Sequence, residues 1–159
     1  MKWKRWKTTG LALAAAWLWA ACSSTEPVYY EYRAVDGLAW RQTDTLSFAV
    51  SLPDPGQADL GLWVEVRHRG DYPYRNLSVR MARTLTTPTD TVCQVDTLRL
   101  TLADAQGRWL GEGLANVFQR SFPAGRLHTT TPADLRFDLT PALPDSLLPG
   151  INDIGIRLE

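Results

Sequence analysis

The chain has 159 residues, 17 acidic and 17 basic side chains, and a formal net charge of zero. That length suits one domain, and the charge balance argues against a nucleic-acid partner, because phosphate contacts need a basic excess. Hydrophobic residues make up 45% of it, too large a share for a chain disordered throughout.

Lys2, Lys4, Arg5 and Lys7 form a basic start with no acid among them, and residues 11–21 are apolar and uncharged. A mature membrane helix needs about 20 apolar residues, so this shorter stretch predicts a secretory signal instead. Its end, Ala20-Ala21-Cys22, resembles a bacterial lipobox, with Trp19 where Leu is usual. The Cys of such a motif is lipidated and becomes the new N-terminus. Cleavage of an ordinary signal peptide near Ala21 is the alternative, although a Cys at this place is otherwise rarely used in a secreted chain. The expected organisation is a signal peptide and its helix over residues 1–21, a lipidated Cys22 with a short tether over 22–26, and one folded domain over 27–159. Each buried methylene contributes about 0.8 kcal/mol, so several acyl chains on Cys22 would hold the protein to a membrane.

From residue 28 the dominant pattern has period two. Residues 28–35, rich in Tyr, predict a first strand. Leu46, Phe48, Val50 and Leu52 then alternate with polar or small residues, as do Leu60, Leu62, Val64 and Val66 with Trp63, Glu65 and Arg67 opposite. Leu77, Val79, Met81 and Leu85 repeat the pattern, interrupted by Arg83; Leu98, Leu100 and Leu102 follow. Leu135, Phe137 and Leu139 form a shorter run, and Ile154, Ile156 and Leu158 the last. Each run has one apolar and one polar face. Breaks containing Pro53-Asp54-Pro55-Gly56, Gly70-Asp71-Tyr72-Pro73, Thr87-Pro88 and Asp104-Ala105-Gln106-Gly107 separate them. The predicted fold is mainly β: a single antiparallel β-sandwich, Ig-like or jelly-roll-like, with two sheets packed face to face. Residues 113–122 read as strand or helical turn, and residues 145–148 as one helical turn in a loop.

Catalytic and metal-binding signatures are missing from the sequence. His68 and His128, the two histidines, lie far apart with no Cys or His at ligand spacing, whereas zinc takes three or four convergent ligands. His68 continues the inward row of its strand and reads as a hydrogen-bonded strand-end residue; His128 reads as a surface-loop residue. There is no Gly-x-Ser-x-Gly elbow, phosphate loop or dinucleotide fingerprint. Asp104 reads as a turn-closing side chain. With Cys22 lipidated, Cys93 has no intramolecular disulfide partner and is expected to be a small buried side chain in a strand. These readings predict a non-enzyme with no metal, cofactor or small-molecule substrate. Trp63, on the polar row of its strand, Tyr72, Tyr74, Arg108 and Trp109 are the candidates for facing a partner. Core packing is the alternative for the aromatics.

Three segments read together carry a resemblance: Arg67-His68-Arg69-Gly70-Asp71-Tyr72-Pro73-Tyr74-Arg75-Asn76-Leu77, then residues 102–113 around Gly107-Arg108-Trp109-Leu110-Gly111, then residues 148–157 from Leu148-Pro149-Gly150 to Arg157. With Trp40 and the signal ending in Cys22, their order resembles the GldH family of gliding-motility lipoproteins of the Bacteroidetes. The resemblance implies an envelope lipoprotein needed for surface gliding, whose machinery is shared with type IX protein secretion. It implies other envelope proteins of that apparatus as partners, outer-membrane attachment facing the periplasm, and no catalytic residues. Gly107, Gly111 and Gly113 are expected to supply positive φ around Trp109, and Asp71, Arg75 and Asn76 to pin their loop by hydrogen bonds. Thr45, Thr91, Thr97 and Ser146 each follow Asp and precede an apolar residue, which resembles the O-glycosylation acceptor of that phylum; Asp and Thr are also simply common at strand starts. The competing functional reading is a surface or periplasmic carbohydrate-binding β-sandwich lipoprotein, which would require the aromatics to form one exposed platform.

Overall fold

The computed structural model describes residues 26–54, 56, 58–142 and 147–159. The predicted signal helix, Cys22, Asp145 and Ser146 lie outside the described residues. The strands are β1 (Tyr29–Ala34), β2 (Ala39–Arg41), β3 (Leu46–Leu52), β4 (Ala58–Arg69), β5 (Asn76–Thr86), β6 (Thr91–Thr101), β7 (Glu112–Leu114), β8 (Val117–Thr129), β9 (Ala133–Pro141), β10 (Leu147–Pro149) and β11 (Ile151–Leu158), with a single 3-10 turn at Asp36–Leu38. All of the strand pairs are antiparallel.

One sheet has the order β1-β11-β4-β8-β7, the other β3-β9-β5-β6, and β10 pairs with β2 in a small ribbon. Alternation decides what each sheet buries. Leu62, Val64 and Val66 of β4 and Ile154, Ile156 and Leu158 of β11 turn inward from the first sheet. Phe48 and Val50 of β3, Leu77, Val79 and Met81 of β5, and Leu135, Phe137 and Leu139 of β9 meet them from the second. These side chains form one cluster, so the mainly β, face-to-face arrangement predicted from period two is the arrangement found. Trp40 of β2 and Leu148 of β10 close one end of the core, both essentially fully buried.

Several local expectations are decided or change. Residues 113–122 are strand: β7 and β8 form a hairpin through Ala115-Asn116. Leu147 and Leu148, expected in a helical turn, belong to β10. His128 is exposed as expected, but it lies in β8 and not in a loop. Cys93 is not buried: it is exposed on β6, because the inward row of that strand passes through Leu98 and Leu100 and leaves odd-numbered residues outside.

Candidate functional site

The outer row of β4 carries Trp63, Glu65 and Arg67. Its neighbours on β11 are Arg157, Gly155 and Asp153, and on β8 Pro123, Ser121 and Gln119. A carboxylate on the polar face of a strand is ordinarily wet, yet Glu65 is only 1% exposed. Arg157 Nε donates to its Oε1 at 2.9 Å and Ser121 Oγ to its Oε2 at 2.6 Å. Burial of a charge costs less when it is paired and hydrogen-bonded, and both carboxylate oxygens are met here. Burial pulls the Arg157 guanidinium down, but its bonds to Glu65 and Glu159 outweigh this and hold it above the ordinary arginine value.

Aromatic rings flank that pair. The Arg157 guanidinium lies 4.9 Å from the Trp63 ring centre, and that of Arg67 lies 3.8 Å from the ring of Tyr32 on β1. Tyr32 stands opposite Gly155, and a Cβ there would lie 2.9 Å from its ring. Gly155 thus leaves the gap across which Tyr32 and Arg67 meet. Burial, then the hydrogen bond shared with Tyr30, then the Glu65 charge push the Tyr32 hydroxyl above the usual phenol range. Arg67 Nε also donates to Gln119 at 3.0 Å. Next to it an open groove of about 600 Å³ is lined by Glu112, Leu114, Val117, Gln119 and Asp153. The face can make polar and stacking contacts with a partner; its buried carboxylate, Glu65, is met by Arg157 and Ser121.

The other partner-facing candidates lie elsewhere. Tyr72 is buried, 3% exposed, with its hydroxyl donating to the Asn76 carbonyl at 3.2 Å; it belongs to the core and does not present itself to a partner. Trp109 is half-buried with its ring 4.5 Å from that of His68, and Phe118 stacks on His68 from 5.7 Å. Tyr74 is 38% exposed and packs edge-on to Tyr72 at 5.7 Å. Arg108 is exposed and its Nε donates to Asp104 Oδ2 at 2.7 Å. Asp104 closes its turn as expected: Oδ1 accepts the backbone N–H groups of Gln106 and Arg108, and these bonds hold its carboxyl below the usual range. Trp63 thus stands apart from the cluster around His68, and the four named aromatics form no single platform.

The loop after β4 is pinned partly by the residues expected. Asp71 accepts from Arg69 Nε at 3.1 Å, while Arg75 and Asn76 act through their backbone carbonyls. Gly107 has φ +80, but Gly111 and Gly113 have no positive φ and serve by close approach. A Cβ on Gly111 would lie 2.4 Å from the Gln119 carbonyl oxygen, and one on Gly113 2.8 Å from the Phe118 ring. Glu65 with Arg157, and Tyr32 with Arg67, went unrecognised in the sequence, where Glu65 and Arg67 read only as residues of the polar row of their strand. Thr45, Thr91 and Thr97 are exposed. Among the described residues no three His, Cys, Asp or Glu side chains gather as a metal site, and no helix is long and apolar enough to cross a membrane.

No curated protein matches the chain. Among solved structures, a chain titled "Structure of infectious bursal disease virus Gx strain" aligns with 83% of this chain and 40% of its own length, at 7% identity and a TM-score of 0.19; that likeness carries no argument. A family model described as GldH lipoprotein matches residues 27–158, from just before β1 to the end of β11. With the whole sandwich inside that match, the chain belongs to the GldH lipoprotein family, lipid-anchored envelope proteins associated with gliding motility.

Proposed function

We propose that this protein is a non-enzymatic component, or an assembly and stability factor, of the gliding machinery linked to type IX secretion. It is held by lipid on Cys22 at the outer membrane, facing the periplasm. The observation that carries this reading is the family match across the entire β domain. The outer face of the five-stranded sheet supports a scaffolding role, because Glu65 and Arg157 are committed to each other and Arg157 and Arg67 pack against Trp63 and Tyr32. Its contacts are other envelope proteins, with no nucleic acid or small-molecule substrate.

The test is deletion in the native host, complemented by wild type or by Cys22→Ala, scoring surface spreading and the level of secreted type IX cargo. Loss of both, restored only by the lipidated form, is the expected result. Normal spreading and secretion without the gene would reject the role. We propose in addition that one or more of Thr45, Thr91, Thr97 and Ser146 carries an O-glycan. Intact-mass measurement of the mature protein is expected to show hexose-sized additions beyond the lipid, and a mass explained by lipid alone would refute this.

A further inference from the structure

Alternation gives the two outer faces of the sandwich different chemistries. That of the four-stranded sheet is small and hydroxylic, around a shallow depression lined by Thr45, Ser47, Ala82, Arg136, Asp138 and Thr140. No aromatic side chain stands in its outward rows among the described residues. The outer face of the five-stranded sheet is aromatic at one corner. Tyr30, Arg157, Trp63 and Pro123 share one cross-strand row, and Tyr32 follows Tyr30 on the same side, their ring centres 5.4 Å apart. Tyr30 is 47% exposed and Val28, just before the strand, 55%. A Cβ on Gly61 would lie 3.3 Å from Trp63 Nε1, so that glycine gives the indole room to lie along β4.

This corner is where the chain enters the sandwich. The Val28 N–H donates to the Leu158 carbonyl at 2.8 Å, and β1 starts at the next residue, Tyr29. Cys22 stands seven positions before Tyr29, a span of at most about 25 Å. A lipid on Cys22 therefore keeps the corner within reach of the bilayer surface. The loops at the same end compete for that position, but residues 53–54, 87–90 and 130–132 bring Asp54 and Asp90 and no aromatic or basic side chain. Trp109 is at the other end of β4, against His68. The arginines of the corner are paired with acids, Arg157 with Glu65 and Glu159 and Arg126 with Asp59, so what it presents is rings and not a cationic patch.

We infer that this corner, formed by Val28, Tyr30, Trp63 and Pro123, rests in the headgroup region of the membrane that holds the anchor. Tyr and Trp collect at membrane–water interfaces because each joins an apolar body to a polar tip. A tethered corner meets lipid at high effective concentration, so a few rings suffice where they would not hold a free protein. With its arginines neutralised, the contact does not depend on anionic lipid. It turns the hydroxylic face of the four-stranded sheet away from the bilayer. The inference rests on the lipid anchor at Cys22 proposed above.

The mature protein, purified with its lipid, is reconstituted into phosphatidylcholine vesicles whose acyl chains carry bromine just below the headgroups, which quenches nearby indoles. From Cys22 onward the chain has Trp40, Trp63 and Trp109, and Trp40 is buried. Emission is expected to fall relative to unbrominated vesicles. Trp63→Phe is expected to abolish the fall, and Tyr30→Ser to reduce it about two-fold while flotation with the vesicles is unchanged. Flotation and intact mass read the anchor; quenching reads the face. A protein without acyl chains would overturn the anchor alone, and the face is then read on the Cys93→Ser chain coupled through its Cys22 thiol to a maleimide headgroup. No quenching in a vesicle-bound protein would overturn the inference, as would quenching that survives Trp63→Phe. Quenching that needs anionic phosphatidylglycerol and is lost in high salt would overturn it as well.

Discussion

His68 ends the inward row of β4 with its ring enclosed by Trp109, Phe118 and Tyr72. Its Nδ1 lies 2.9 Å from the Arg69 carbonyl, which can only accept, so Nδ1 carries the proton and Nε2 is a buried lone pair with no partner. Burial holds the imidazole below its usual value despite that backbone bond. A base whose folded value is depressed binds its proton more readily when unfolded. Its contribution to stability is present above about pH 6.5 and is lost as pH falls toward the folded value. Urea midpoints measured from pH 7.5 down to 5 are expected to fall, and His68→Leu to flatten that slope. Glu65 has the opposite history. Alternation predicted His68 inward correctly but put Glu65 in water, because its cover, Arg157, is 92 residues away. Glu65→Ala would leave Arg157, whose side chain is 19% exposed, without its main carboxylate, and is expected to cost about 3 kcal/mol, read as a shift in the urea midpoint. Cys93 was legible after all: carrying the alternation of Leu98 and Leu100 back along β6 puts it on the outer row.

At the scale of elements, the long runs of alternation were legible and the short strands were not. β2, β7 and β10 have three residues each, too few to display a period. The β7–β8 hairpin illustrates the difficulty, because Ala115 at its two-residue turn adopts φ +56, a conformation that glycine favours. Asn116 alone marks the turn in the sequence, with no glycine beside it. Ala115→Gly is expected to relieve that conformation and, after the entropy gained by the unfolded chain, to stabilise the protein by about 0.5 kcal/mol. Gly111→Ala should act in reverse, since its Cβ would press on the Gln119 backbone at 2.4 Å, at a cost of about 1–3 kcal/mol. Thermal melts of the two variants side by side check both signs.

For the whole molecule, period two predicted two sheets with a shared core, but not their order. β11 lies between β1 and β4, and β9 between β3 and β5, and no local pattern encodes pairings over such separations. The same topology makes anchoring and folding separable. β1 begins at Tyr29 and pairs with the last strand, so the domain closes on itself without Cys22, seven positions earlier in the sequence. Those positions span at most about 25 Å, which keeps an anchored domain within roughly one domain diameter of its membrane. Cys22→Ala is accordingly expected to leave the melting temperature of the purified protein unchanged within about 1 °C. The variant should leave the membrane pellet for the soluble fraction and lose the mass of its acyl chains. A variant that melts lower would show that residues before β1 contribute to the fold. One that stays in the pellet at wild-type mass would remove Cys22 as the anchor and leave ordinary signal cleavage near Ala21 as the reading of this N-terminus.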